Sequence, residues 1–127
     1  MQENVVSQEI VRAAVEVHQT LGGPGLLETI YEEALVWELT SRGLTIARQQ
    51  QIPLYYKNHQ LGTPLRLDLL VENCVIVEVK SLTEYNPIFE AQLLTYLRLT
   101  KLKLGLVINF GVRLVSKGGI HRVVNGL

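Results

Sequence analysis

Apolar positions recur at three- and four-residue spacing over roughly the first third of the chain and at two-residue spacing through its middle. In "ENVVSQEIVRAAVEVHQTLG", Val6, Ile10, Ala13, Ala14, Val17 and Leu21 form one helical stripe, which Gly22 and Gly23 end. In "GGPGLLETIYEEALVWELTSRG", Leu27, Ile30, Ala34 and Leu35 predict a second helix with Gly43 as its C-cap. The period then changes. "LTIARQQQIPLYY" is rich in β-branched and aromatic residues, "LGTPLRLDLLV" alternates around Arg66 and Asp68, and "CVIVEVK" is a continuous apolar run ending in charge. Joined by "KNHQ" and "EN", these predict three antiparallel strands in a meander. Asn86 as cap and Pro87 at the first helical position predict a third helix from near Pro87 to about Thr100. "LGLVINF" and "GIHRVVN" read as two further strands. With no internal repeat and no linker, residues 1–127 read as a single α/β domain.

Composition narrows the class. The 127 residues are 47% hydrophobic and 19% charged, as in an ordinary soluble globular domain. Twelve basic residues balance twelve acidic ones, so attraction to nucleic acid has to come from a local patch or a bound cation. Arg98, Lys101 and Lys103 suit a helix C-terminus and, with Arg66, Arg113, Lys117 and Arg122, are the candidates for that patch. One cysteine, Cys74, permits no disulfide and no thiolate cluster within the chain, and reads as a small core residue. "MQENVVSQEIVRAA" lacks the pattern of a signal peptide, and no window reaches membrane-spanning length, so a cytoplasmic location is expected.

The chemistry sits where the strands end. Successive strand side chains point to opposite faces, so Glu78 and Lys80 share one face and Val75, Val77 and Val79 the other. Asp68 is a second carboxylate in an apolar strand, and a carboxylate there is costly unless paired or bound to a cation. Two converging carboxylates suit Mg2+ or Mn2+, and Asp, about ten residues, then Glu-x-Lys fits phosphodiester hydrolysis. The alternative is a structural ion pair of Asp68 with Arg66 or Lys80, with Glu78 solvated. Register separates them. Asp68 and Glu78 meet if Val71 faces Val75, which requires a three- or five-residue connection or a bulge, and not a two-residue turn at Glu72 and Asn73.

Gln92 and Tyr96 lie four apart and share a face of the third helix, where they either serve the lysine and a phosphate or simply pack. Glu28, in the first turn of the second helix, either answers the helix dipole or reaches the site as a further ligand. His18, His59 and His121 have no metal-ligand spacing and read as surface or locally bonded residues. "GGPG" lacks the residues of a phosphate loop and reads as an elbow that aims Glu28. Trp37 reads as core or as a contact with another chain, and Asn109 as a structural strand end.

"GPGLLETIY", with Gly25, Glu28 and Tyr31, resembles the G-x-x-E-x-x-Y signature of the GxxExxY protein family. "RLDLLV", "VIVEVKSL", "EAQLLTYL" and "LGLVINFG" resemble that family's later blocks in the same order, so the likeness covers nearly the whole chain. It implies the PD-(D/E)XK nuclease-like superfamily and a restriction-endonuclease-like core, a mixed sheet of four to five strands flanked by helices. It also implies that Asp68, Glu78 and Lys80 match the catalytic motif, Glu28 the acid of the first core helix, and Gln92 and Tyr96 a Gln-x-x-x-Tyr motif. Leu67 stands where the motif's proline would be, and Phe89 near the place of a histidine found in many relatives. The expected activity is metal-dependent hydrolysis of DNA, in preference to RNA. Asp68, Glu78, the Val79 carbonyl and Glu28 would hold Mg2+ or Mn2+, and Lys80 would position or activate water. The superfamily also contains members that kept the fold and lost activity, so the alternative is a silent module that binds nucleic acid or protein. A homodimer or a partner protein would supply the specificity elements a domain of this size lacks.

Overall fold

A computed structural model of the chain describes residues 2–127. Helix α1 (Glu3–Thr20) and helix α2 (Glu28–Ser41) precede β1 (Ile46–Ile52) and a short ribbon of β2 (Tyr55–Tyr56) and β3 (His59–Gln60). Then come β4 (Leu65–Val71), β5 (Val75–Lys80), helix α3 (Ile88–Thr100), β6 (Leu104–Asn109) and β7 (Ile120–Val124). Five strands form one mixed sheet in the order β1-β4-β5-β6-β7. β5 and β6 are parallel and the other neighbours antiparallel. This mixed sheet flanked by helices is the α/β unit the pattern predicts and the restriction-endonuclease-like core the resemblance implies.

β5 is central and covered on both faces, which explains its unbroken apolar run. Val75, Val77 and Val79 pack with α1 and α2, and Ile76 packs with Leu93 and Leu97 of α3. Gly105 on β6 lets α3 approach closely, because a Cβ there would stand 2.8 Å from Leu93 Cδ2. Asn86 Oδ1 accepts the Ile88 N–H at 2.9 Å and starts α3 as expected.

Three expectations need correction. The second helix does not bury Leu27 and Ile30, which are exposed. Its inner face is Tyr31, Leu35 and Leu39. Tyr31 takes the inward position because its ring stacks on Phe110 at 4.6 Å while its hydroxyl donates to Gly23 O at 2.6 Å. Leu21 lies beyond the end of α1 and is exposed. The first strand stops at Ile52, before Pro53, and Tyr55 and Tyr56 belong to the separate ribbon.

Candidate active site

The connection between β4 and β5 is the three-residue one that register requires. Val71 faces Val75, Leu70 faces Ile76 and Leu69 faces Val77. Glu72 and Asn73 adopt left-handed φ values of 52° and 54° to close the turn. The same register carries Asp68 across from Glu78. There the ladder opens and side chains replace backbone partners: the Asp68 N–H donates to Glu78 Oε2 at 3.1 Å, and the Val79 N–H donates to Asp68 Oδ2 at 2.9 Å.

β4 changes face at this point. Leu69 and Val71 pack toward α1 and α2, whereas Leu65 and Leu67, of the same parity, pack toward α3. β1 shows a matching irregularity, since Gln49 lies opposite Asp68 outside the paired register and has φ 52°. The consequence is that Asp68 can turn into the opening between strands.

Among the described residues Asp68 forms no ion pair with Arg66 or Lys80, and Glu78 is only 8% exposed, so the structural ion-pair alternative is not what is seen. Burial, and then the charge of Asp68, push the Glu78 carboxyl up to about 9, against a smaller lowering by Lys80. Two carboxylates this close in a low-dielectric site cannot both stay ionised without a proton or a cation between them. Each has one oxygen fixed by a backbone amide, and the other oxygen of Asp68 has a long contact, 3.5 Å, from Gln49 Nε2. The donor set therefore fits a hard divalent ion.

Lys80 follows on the same face, half-buried, with Nζ 4.4 Å from the Phe89 ring centroid. The cation rests on an aromatic face rather than in a salt bridge. α3 brings Tyr96 to the same place: burial and the charges of Glu78 and Asp68 raise its phenol above the ordinary range, against a lowering by its hydrogen-bonding neighbour Gln92. Glu78, Lys80 and Tyr96 thus lie on the α3 side of β5, with Gln92 beside Tyr96 and Asp68 at the opening next to Glu78.

Among the described residues Glu28 shares no hydrogen bond with Asp68 or Glu78. It is exposed, the first residue of α2, in a cleft lined by Leu26, Leu27, Thr29 and Ser81. Among the described residues no group of three His, Cys, Asp or Glu is arranged to hold a metal. The elbow before Glu28 is fastened twice. The Tyr31 hydroxyl donates to Gly23 O and accepts from the Leu26 N–H at 3.2 Å, and Ser81 Oγ donates to Leu26 O at 2.7 Å. Gly25 at φ 112° makes the bend in a conformation that side chains avoid.

The acid that does connect to Asp68 is Glu32, which sequence reasoning missed. It is 5% exposed, accepts from Arg48 Nε at 2.6 Å, and receives Gln49 Nε2 at 3.0 and 3.1 Å. The same Gln49 nitrogen lies 3.5 Å from Asp68 Oδ1. Glu32 follows Tyr31 and lies three residues before Leu35, which marks it as flanking the buried stripe once Tyr31 is known to point inward.

Other residues sort as structure. Asn109 accepts from the Leu82 and Gly111 N–H groups and donates to Leu82 O, tying down the chain after β5. His18 is buried, not superficial, and its Nε2 meets Phe110 O, 92 positions away, at 3.1 Å. Trp37 is 70% exposed and is not core. The basic candidates divide between the two ends of the sheet: the register of β4 on β5 carries Arg66 toward the Lys80 end. Lys101 and Lys103 precede Leu104, which pairs with Val75, so they stand at the opposite end of β5 from Lys80, and Arg122 is on the far edge strand.

A family model described as PD-(D/E)XK nuclease superfamily matches residues 4–123 of the chain. No curated protein and no solved structure matches it.

Proposed function

Because the chain belongs to the PD-(D/E)XK nuclease superfamily, we propose that it is a metal-dependent nuclease that hydrolyses phosphodiester bonds in DNA, in preference to RNA. The finer family we assign is GxxExxY, supported by Gly25, Glu28 and Tyr31 at one fastened elbow. The single observation that carries the reading is the pairing of half-buried Asp68 with buried Glu78, each pinned by a backbone amide, with the Glu78 carboxyl raised to about 9.

Asp68 and Glu78 would hold Mg2+ or Mn2+. The Val79 carbonyl is assigned as a further ligand, since the N–H of the same extended residue points to the opening at Asp68. Glu28 is assigned to the outer side of the site, where it would act through water. When bound, the ion supplies Lewis-acid charge against a phosphate oxygen and acidifies water. Lys80 brings a cation, seated over the Phe89 ring, to stabilise charge on a phosphate oxygen or to position the attacking water. Tyr96, its phenol kept protonated, donates toward a phosphate, and Gln92 orients it.

The second reading, a nuclease fold that binds without cutting, draws on one observation: among the described residues no group of three His, Cys, Asp or Glu is arranged to hold a metal. Cleavage of DNA and RNA substrates with Mg2+ by the wild type and by Asp68→Ala decides between them. The nuclease reading expects cleavage by the wild type and its loss in a folded variant. No cleavage of any substrate by the wild type supports the silent module.

A further inference from the structure

Between Glu38 and Asp68 the chain has no acidic residue and four basic ones, Arg42, Arg48, Lys57 and Arg66, although its net charge is zero. Arg42 and Arg48 are engaged with Glu38 and Glu32, which leaves Lys57 and Arg66 as the exposed cations of the segment. Lys57 lies at the tip of the β2–β3 ribbon, where Tyr55 faces Gln60 and Tyr56 faces His59. Both tyrosines are 63% exposed, and as neighbours on a strand they present rings on opposite sides of the ribbon. The turn places Lys57 and Asn58 at φ 49° and 67°. Folding alone would favour glycine after asparagine in such a turn, so a lysine there keeps a cation at the tip at some conformational cost. Its Nζ is 5.4 Å from the Tyr56 ring centroid. An isolated two-stranded ribbon is marginal in water, and this one holds its aromatic side chains out to solvent rather than burying them.

The ribbon leaves the sheet from the end of β1 and returns through Arg66, two residues before Asp68. Gln60 is eight residues from Asp68, a span of at most about 28 Å if extended. Aromatic faces joined to cations, without carboxylates, match unpaired bases and their phosphates. We propose that the β2–β3 ribbon is a nucleic-acid arm, in which Tyr55 and Tyr56 stack unpaired bases while Lys57 and Arg66 take the adjoining phosphates and direct the strand toward Asp68 and Glu78. The direction of the strand rests on the nuclease reading above, and the binding does not.

Fluorescence anisotropy of a labelled single-stranded oligothymidylate, with Ca2+ replacing Mg2+, tests the arm, with Mg2+-dependent cleavage followed in parallel. The double variant Tyr55→Ala/Tyr56→Ala is expected to bind about tenfold or more weaker, and Tyr55→Phe/Tyr56→Phe to stay within about twofold of wild type because the stacking ring is kept. Lys57→Ala is expected to lower the slope of log K against log salt by about 0.7, one phosphate contact. Equal binding by the alanine variant and the wild type overturns the arm, as does a wild type that binds duplex but not the single strand. A protein-binding ribbon would give the first of these results. Tyrosine-dependent binding without cleavage would sink the nuclease reading and leave the arm standing. Asp68-dependent cleavage with tyrosine-independent binding would do the reverse.

Discussion

Asp68 and Glu78 hold one another through the backbone: Glu78 accepts the amide of Asp68, and Asp68 accepts the amide of Val79, the residue after Glu78. Neither carboxylate can swing away without breaking a hydrogen bond in a buried strand pair, so their repulsion cannot be relieved by movement. It is relieved by a proton or by a cation, and that choice sets the pH behaviour of the protein.

The Glu78 carboxyl rises from the ordinary 4.5 to about 9 on folding, through burial first and Asp68 second. A group whose folded pKa is raised stabilises the fold fully below its unfolded value and loses that contribution as pH climbs through the folded value. Metal-free protein is therefore expected to lose stability between about pH 4.5 and 9, at no more than about 1.4 kcal/mol per pH unit. Mg2+ or Mn2+ should displace the proton, so affinity rises with pH across that window and Tm becomes nearly flat in saturating metal. Thermal melts over pH, with and without metal, test this. Glu78→Gln should remove the slope. A slope that survives in Glu78→Gln belongs to another group.

Gln49 supports the pair from the other side of β4. Its side chain reaches both oxygens of Glu32 and the free side of Asp68, and its backbone sits at φ 52°. Gln49→Gly removes the side chain but suits the backbone, whereas Gln49→Ala removes it and adds strain. Both should weaken metal binding measured by calorimetry, because Glu32 loses two hydrogen bonds and Asp68 its lateral support. The alanine variant should unfold about 1 kcal/mol more easily than the glycine variant. Equal stability of the two would mean that the backbone at Gln49 is not under strain.

The parity of β4 and β5 made the carboxylate pair legible: once both segments were read as strands, only certain connections let Asp68 and Glu78 meet, and the three residues Glu72 to Cys74 are one of them. α3 was legible from Asn86 and Pro87. The inner face of α2 was not, because a tyrosine scores as polar when its hydroxyl has no visible partner, and the partner is a carbonyl in the preceding elbow. That error hid Glu32. Gln49 was invisible for a different reason, since "QQQ" contains none of the glycine or asparagine that usually marks a left-handed residue. Lys101 and Lys103 were misjudged as partners of the site because sequence proximity says nothing about which end of a strand a residue reaches. Lys103 precedes a strand parallel to β5, so it emerges away from Lys80.

Tyr31 separates the two uses of the elbow. Tyr31→Phe keeps the ring on Phe110 but removes the hydroxyl that joins Gly23 O to the Leu26 amide. Loss of these bonds should cost about 1 kcal/mol and speed hydrogen exchange at Leu26, leaving the strand amides of β5 protected. If Glu28 serves the metal from this elbow, cleavage by Tyr31→Phe should fall with Glu28→Gln and be partly restored by raising the Mg2+ concentration, as a weakened ligand set requires. Should Glu28→Gln cleave as the wild type does while Tyr31→Phe still exchanges faster at Leu26, the elbow is a structural clamp and the ion is held by Asp68, Glu78 and Val79 alone.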